Sequence, residues 1–209
     1  MEALPFNAAP KKATSGGADT ETGVSGGCMN TISGVLLDPA NVCAEDIRLY
    51  DIAHPLSFNC RGVGQVRHFL SVGQHCINCA KEAEARGYSD RLQLACLLHD
   101  GAEAYVSDVI RPVKVLLQNY TDVEQAFQNA VYEHFGLGDL TPEEKQQIKV
   151  IDDDMLWNEA KVLFSLVEDL VPPPLATHPN YDVRPFQDVE DEFTRMAETL
   201  LHRLGEDRL

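Results

Sequence analysis

The chain has 209 residues, 44% of them apolar, and 33 acidic side chains against 17 basic ones give it a formal net charge of −16. The apolar share excludes a chain disordered throughout and suits one domain with a real core. The charge argues against a nucleic-acid backbone or an anionic membrane as main partner, and no apolar run approaches the roughly 20 residues of a membrane span.

Residues 1–30 are rich in Gly, Ala, Ser and Thr, including "SGGADTETGVSGG". This composition predicts a flexible low-complexity tail ahead of one folded domain, 31–209. Residues 31–60 carry short apolar pieces, "ISGVLL" and "DIRLYDIA", around turn residues "DPAN". They predict a short hairpin or irregular lead-in.

From there the spacing is helical. Val66, Phe69, Leu70, Gly73, Cys76, Ile77, Ala80 and Ala83 recur at three and four, Gly87 marks a stop, and Ser89 can cap the next helix. That next segment, "RLQLACLLHDGAEAYV", predicts one helix over 91–106. Thr121-x-x-Glu124 has the form of a capping box, with Val123, Phe127, Val131 and Phe135 on one face and Gly136 after them. Thr141-Pro142-Glu143-Glu144 opens a long helix directed towards Leu170, with Leu166 and Leu170 on its stripe. Pro172, Pro173 and Pro174 break the helical pattern beyond it. A last amphipathic helix carries Val189, Phe193, Met196, Ala197, Leu200 and Leu204. The expected class is all-α, with about six main helices.

The apolar run Leu94–Leu98 leads straight into His99 and Asp100, with Glu103 one turn on. Helical spacing puts all three on the buried face. A buried carboxylate must pair, neutralise or bind a cation. On the long helix, Asp152 falls on the apolar stripe, Asp153 on its flank and Asp154 opposite; Glu159 also points inward, where a structural hydrogen bond is expected. His75 lies in phase with His68 and Val72. His75, His99, Asp100 and Asp152 thus form a set of two imidazoles and two carboxylates on three helices. Mixed nitrogen and oxygen ligation of this kind suits a first-row divalent metal with open positions. Pattern alone leaves hydrogen-bonded core histidines as the alternative.

"SVGQHC", "LLHDGAEAYVSDVIRPVK" and "IKVID" together resemble the His…His-Asp…Asp signature of the HD-domain metal-dependent phosphohydrolases. Within that family the likeness is to the branch of 5′-deoxyribonucleotidases and prophage-type HD hydrolases that includes phage dATP triphosphohydrolases. It runs from about Asp51 to Leu163 and implies an HD-domain helical bundle. It also implies a divalent transition metal (Co, Mn, Zn or Fe) held by His75, His99, Asp100 and Asp152. Glu103 and Asp108 match the carboxylates that serve the attacking water. Lys114 matches the lysine of the Pro-Val-Lys, Arg61 stands near the arginine of an Arg-Trp pair, and His68 matches a histidine of the prophage-type group; these three are the implied substrate contacts. Gly62 follows Arg61 where those relatives have Trp.

The implied activity is removal of phosphate from nucleoside, foremost deoxynucleoside, 5′-phosphates by a metal-activated water. A hydrolase of a signalling nucleotide (an alarmone or cyclic nucleotide) and a non-catalytic metal- and nucleotide-binding module are the alternatives. The metal and local cations would reconcile an anionic substrate with an acidic chain. A nucleotide is the expected partner, with no stable nucleic-acid or membrane partner and the oligomeric state open. The six cysteines, without a recognisable signal pattern before them, read as free thiols of a cytoplasmic protein. Cys76-x-x-Cys79 is by itself a weak signal for zinc or redox chemistry.

Overall fold

The computed structural model describes residues 27–164, 169 and 171–206. Most of the expected tail, 1–26, and the stripe residues Leu166 and Leu170 lie outside the described residues. Among the described residues the fold is all-α, a bundle of six helices of eight residues or more and two single turns, led by a two-stranded hairpin.

In that hairpin β1 (Met29–Asn30) pairs antiparallel with β2 (Leu36–Leu37), Met29 opposite Leu37. Met29 and Asn30, placed in the tail by composition, are therefore part of this sheet. The Asp51 carboxylate clamps the hairpin by accepting from the Ser33 amide at 2.8 Å and the Ser33 hydroxyl at 2.6 Å.

Helix α1 (Leu49–Phe58) replaces the irregular segment expected here. Ile52, Ala53 and Leu56 recur at helical spacing and are buried. Pro55 disguises the helix in the sequence: it removes one intrahelical N–H, and burial of the apolar face outweighs that loss. Helix α2 (Val72–Ala85) begins six residues later than Val66, because the Ser71 hydroxyl caps it by accepting from the Gln74 amide. It packs against α1, α3, α7 and α8, and Val72 to Ala80 are all buried. Over this stretch the helix is enclosed on every side, so the polar His75 has no solvent face.

The segment expected as one helix over 91–106 is two. Helix α3 (Asp90–Leu97), capped by Ser89, ends in a turn, and α4 (Glu103–Val106) comes after it. The Gly101 amide donates to Leu98 O and the Glu103 amide to Asp100 O, closing tight turns in place of helical bonds. Gly101 permits the break: a Cβ there would stand 2.9 Å from Val131 Cγ1 and 3.0 Å from Leu98 O. The bend turns His99 and Asp100 out of the α3 axis and towards α7.

Helix α5 (Arg111–Lys114) is one turn. Helix α6 (Tyr120–His134) starts one residue before Thr121, from Asn119 in the left-handed region at φ 62°, so Thr121 is not its cap. The second capping box holds: α7 (Pro142–Leu163) opens with Thr141 and Glu144 bonded reciprocally. It ends at Leu163 rather than near Leu170, where Phe164 turns to extended backbone. Helix α8 (Phe186–Glu206) covers α1, α2 and α3 with Val189, Phe193, Ala197 and Leu200 buried.

The Pro-rich segment before α8 is tied down by polar bonds. Glu82, fully buried on α2, accepts from the Ala176 amide (2.8 Å), the Thr177 amide (2.9 Å) and the Thr177 hydroxyl (2.6 Å), and pairs with Arg86 at 2.7 Å. Among the described residues no helix is long and apolar enough to cross a membrane.

Candidate metal centre

Three segments deliver the donors: α2 carries His75, the turn after α3 carries His99 and Asp100, and α7 carries Asp152. The two Nε2 atoms stand 3.3 Å apart. His75 Nε2 is 3.7 Å from Asp100 Oδ2 and 3.4 Å from Asp152 Oδ1; the same distances from His99 Nε2 are 3.4 and 3.6 Å. Donors each about 2.0–2.2 Å from one cation are separated by roughly 3.0–3.6 Å for right to tetrahedral angles. The five separations that involve a histidine therefore sit within about 0.1 Å of that range.

The outer nitrogens fix the tautomers. His75 Nδ1 lies 2.6 Å from Glu159 Oε1 and His99 Nδ1 lies 2.7 Å from Cys96 O. A carboxylate and a carbonyl can only accept, so both rings carry Nδ1–H. In neutral form each then presents a bare Nε2 lone pair to the other and to two carboxylates, an arrangement only a positive charge stabilises. Burial opposes charging of both rings. Even so, Cys79, Glu159 and Asp152 around His75, and Asp100, Asp152 and Cys76 around His99, hold both imidazoles well above the ordinary histidine range. Hydrogen-bonding of a ligand histidine through its far nitrogen is the usual support of a metal site.

Glu159 is itself held. Its Oε2 accepts from Arg61 Nε at 3.2 Å, and burial, which alone would raise its pKa, is overcome by His75 and Arg61, so it stays ionised. Arg61 also reaches Asp100 Oδ2 at 3.4 Å and Asp108 Oδ2 at 3.9 Å. One guanidinium thus links Asp100, the carboxylate that bonds His75, and Asp108. Asp108 is fixed further by the Gly62 amide, which donates to Oδ2 at 2.8 Å.

Glu103 is buried at the same point, and its Oε2 has no hydrogen-bond partner among the described residues. Burial, then the charges of Asp100 and Asp108, raise its pKa well above the carboxylate range. An orphaned buried carboxyl is costly unless a missing partner supplies the bond.

Two cavities meet here, sharing Asp100, Glu103, Lys114 and Asp152 in their walls. The larger, about 960 Å³, runs between α6 and α7 and is polar, with Lys145, Lys149 and Gln125. The smaller, about 330 Å³, has an apolar wall of Leu156, Leu163 and Phe164.

The remaining expected substrate contacts are placed differently. Lys114 stands between the cavities with Nζ 2.6 Å from Glu124 Oε1. His68 lines neither cavity; its Nε2 bonds to Tyr181 O at 2.9 Å. The structure adds two residues that helical spacing does not assign to this role. Glu159 points inward by periodicity, but its partner, His75, is 84 residues away. Arg111, with no periodic signal of its own, lines the smaller cavity with Nη2 3.6 Å from Asp152 Oδ2.

Three free thiols, Cys76, Cys79 and Cys96, back the centre. His75, Cys79 and His99, or Cys76, His99 and Asp100, are also close enough to share an ion. Burial raises the Cys76 thiol and pushes Cys96 up to about 12, so these two stay protonated and are poor ligands beside ready imidazoles and carboxylates.

A helical bundle that converges His, His-Asp and Asp from three segments has the arrangement of a metal-dependent hydrolase. The HD domain family model matches residues 66–154, which contain all four donors, Glu103 and Asp108 but neither Arg61 nor Glu159. The uncharacterized protein YfdR of Escherichia coli (strain K12) is 32% identical over 135 residues, 65% of this chain and 71% of the relative. An uncharacterized protein of Rhodobacter capsulatus is 36% identical over 128 residues, 58% of this chain and 65% of that protein. The chain belongs to the HD-domain family, in the superfamily of metal-dependent phosphohydrolases.

Proposed function

We propose that this protein removes phosphate from nucleoside 5′-phosphates, using a divalent transition metal held by His75, His99, Asp100 and Asp152. The observation that carries the reading is the orphaned, buried Glu103 carboxyl beside the four converging donors. A metal there supplies a charge that acidifies water and polarises a phosphoryl oxygen.

The chain's own residues do the rest. Glu103 can take the proton of the attacking water when its carboxylate is ionised, a form that the positive charge of Arg61 and Lys114 favours against burial. Asp108, oriented by Gly62 and Arg61, can relay that proton from Glu103 to the leaving oxygen. Arg61 and Glu159 hold the donors in place, Glu159 by accepting from His75 Nδ1 and Arg61 by pairing with Asp100. The apolar wall of Leu156, Leu163 and Phe164 suits a nucleoside, and the recess of about 330 Å³ lies at the lower end of the usual ligand-pocket range. A purely binding module has no use for an unpartnered buried carboxyl, which weighs against the non-catalytic alternative.

The test is a panel of ribo- and deoxynucleoside mono-, di- and triphosphates, with manganese, cobalt, zinc, iron or chelator, in which released nucleoside and phosphate are measured. Metal-dependent release from at least one 5′-nucleotide is expected. Turnover of cyclic nucleotides or alarmones alone would move the assignment to a signalling substrate, and no turnover of any would refute it.

A further inference from the structure

We propose that Arg111 is the cation that grips the substrate's phosphoryl group, a position that Arg61 cannot fill. This rests on the phosphohydrolase reading of the site. A phosphate brought to two carboxylate ligands and Glu103 needs positive charge from the protein; Lys145 and Lys149 line only the larger cavity, Lys149 paired with Asp153 at 2.7 Å, which leaves four basic side chains as candidates by sequence or at the smaller cavity.

Three are committed elsewhere. The Arg61 guanidinium is buried between Glu159, Asp100 and Asp108, and moving it would strand all three carboxylates. Lys114 is paired with Glu124 at 2.6 Å and lies over the Tyr120 ring, 5.5 Å from its centroid. His68 bonds a backbone carbonyl of the Pro-rich segment.

Arg111 is differently placed. It opens α5 immediately before Pro112, which fixes the backbone there, while its side chain is 63% exposed. Its Nη2 makes one hydrogen bond, 2.9 Å to Asp153 Oδ1, and stands 3.6 Å from Asp152 Oδ2. The side chain lines the smaller cavity, and a guanidinium carries five N–H donors. Asp152 Oδ1 is the oxygen turned to the histidines, so Oδ2 faces away from them and towards Arg111. A phosphoryl oxygen entering the centre from the smaller cavity comes within reach of this planar fork, the geometry that suits bidentate phosphate binding.

The competing role is structural: Arg111 only fastens α5 to α7 through Asp153. Arg111→Ala, Arg111→Lys and Asp153→Asn separate the two. Each full-length variant is loaded with manganese, its metal content and melting temperature are recorded, and binding of inorganic phosphate is measured by calorimetry. Arg111→Ala is expected to retain its metal and lose phosphate affinity by about 10- to 100-fold, the scale of charge-assisted hydrogen bonds. Arg111→Lys recovers part of it, and Asp153→Asn binds phosphate as the wild type does. Where a nucleotide is turned over, the loss in Arg111→Ala shows in KM more than in kcat.

Unchanged phosphate affinity in Arg111→Ala would overturn the proposal. So would an equal loss in Asp153→Asn, or a wild-type protein that binds no phosphate. Arginine-dependent phosphate binding without hydrolysis of any nucleotide supports it and refutes the nucleotidase reading alone.

Discussion

Glu159→Gln is a sharp perturbation of the centre because it changes hydrogen-bond polarity and almost nothing else. Two donors converge on this carboxylate: His75 Nδ1–H at 2.6 Å on Oε1 and Arg61 Nε–H at 3.2 Å on Oε2. An amide offers one accepting oxygen and one donating NH₂. With the oxygen towards His75, Arg61 faces an NH₂ and keeps only Asp100 at 3.4 Å and Asp108 at 3.9 Å. With the NH₂ towards His75, the ring must accept at Nδ1 and move its proton to Nε2, the atom 3.3 Å from His99 and 3.4 Å from Asp152. That tautomer has no lone pair for a metal.

Either outcome weakens metal binding, by about 10- to 100-fold, the usual cost of losing the partner behind a ligand histidine and equal to roughly 1.4–2.7 kcal/mol. Folding stability falls as well, by about 1–3 kcal/mol for the strained buried donor. Manganese titration by calorimetry, with turnover measured against metal concentration, reads both parameters. The activity curve should shift to higher metal and recover to within a few-fold of wild type at saturation. An unchanged metal affinity would refute this account of Glu159. Combined with a large fall in saturated turnover, it would instead place Glu159 in the reaction itself.

Glu103→Gln should keep its metal and its nucleotide affinity and lose turnover by roughly 10²-fold or more, the scale of a general acid-base group; near-normal turnover would exclude it as the base. Gly101→Ala pushes a methyl to 2.9 Å from Val131 Cγ1 and 3.0 Å from a backbone oxygen, so it should lower stability by about 1–3 kcal/mol and weaken metal binding by displacing His99 and Asp100; an unshifted melting temperature would show that α6 gives way. Glu82→Gln should cost about 2–4 kcal/mol by unpairing Arg86 and the bonds to Ala176 and Thr177. Burial opposes ionisation of Glu82, yet the Thr177 hydroxyl, the Ala176 amide and Arg86 hold its folded pKa below the ordinary value. The stabilisation is therefore complete above the unfolded value of about 4.3 and lost as pH falls through the lower folded one. The gap in melting temperature between wild type and Glu82→Gln should close over that acidic window; a constant gap would mean that the charge of Glu82 contributes nothing.

The sequence by itself determined the class of fold, because helical periodicity and caps are local. Ser89, Thr141 and Glu144 start their helices as expected, and the apolar faces of α7 and α8 are the ones their spacing names. It also determined which polar groups were anomalous: His75, His99, Asp100 and Asp152 interrupt apolar stripes, and such interruptions call for a partner. Local reasoning failed where packing overrode propensity. Pro55 hid α1, whose buried face repays the missing bond, and the close approach of Val131 to Gly101 broke a helix that periodicity read as continuous.

What only the tertiary structure decided is which groups meet. Arg61 and Arg111 carry no periodic signal of their roles, and the inward phase of Glu159 does not name its partner, since all three rest on partners far along the chain. Glu159 finds His75 across 84 residues, and Arg61 finds Glu159 across 98. Charge is long-ranged and indifferent to helical period, so the donors were legible one at a time. The network that positions them, and the assignment of one arginine to the scaffold and another to the cavity, exist only once α2, α5 and α7 are brought together.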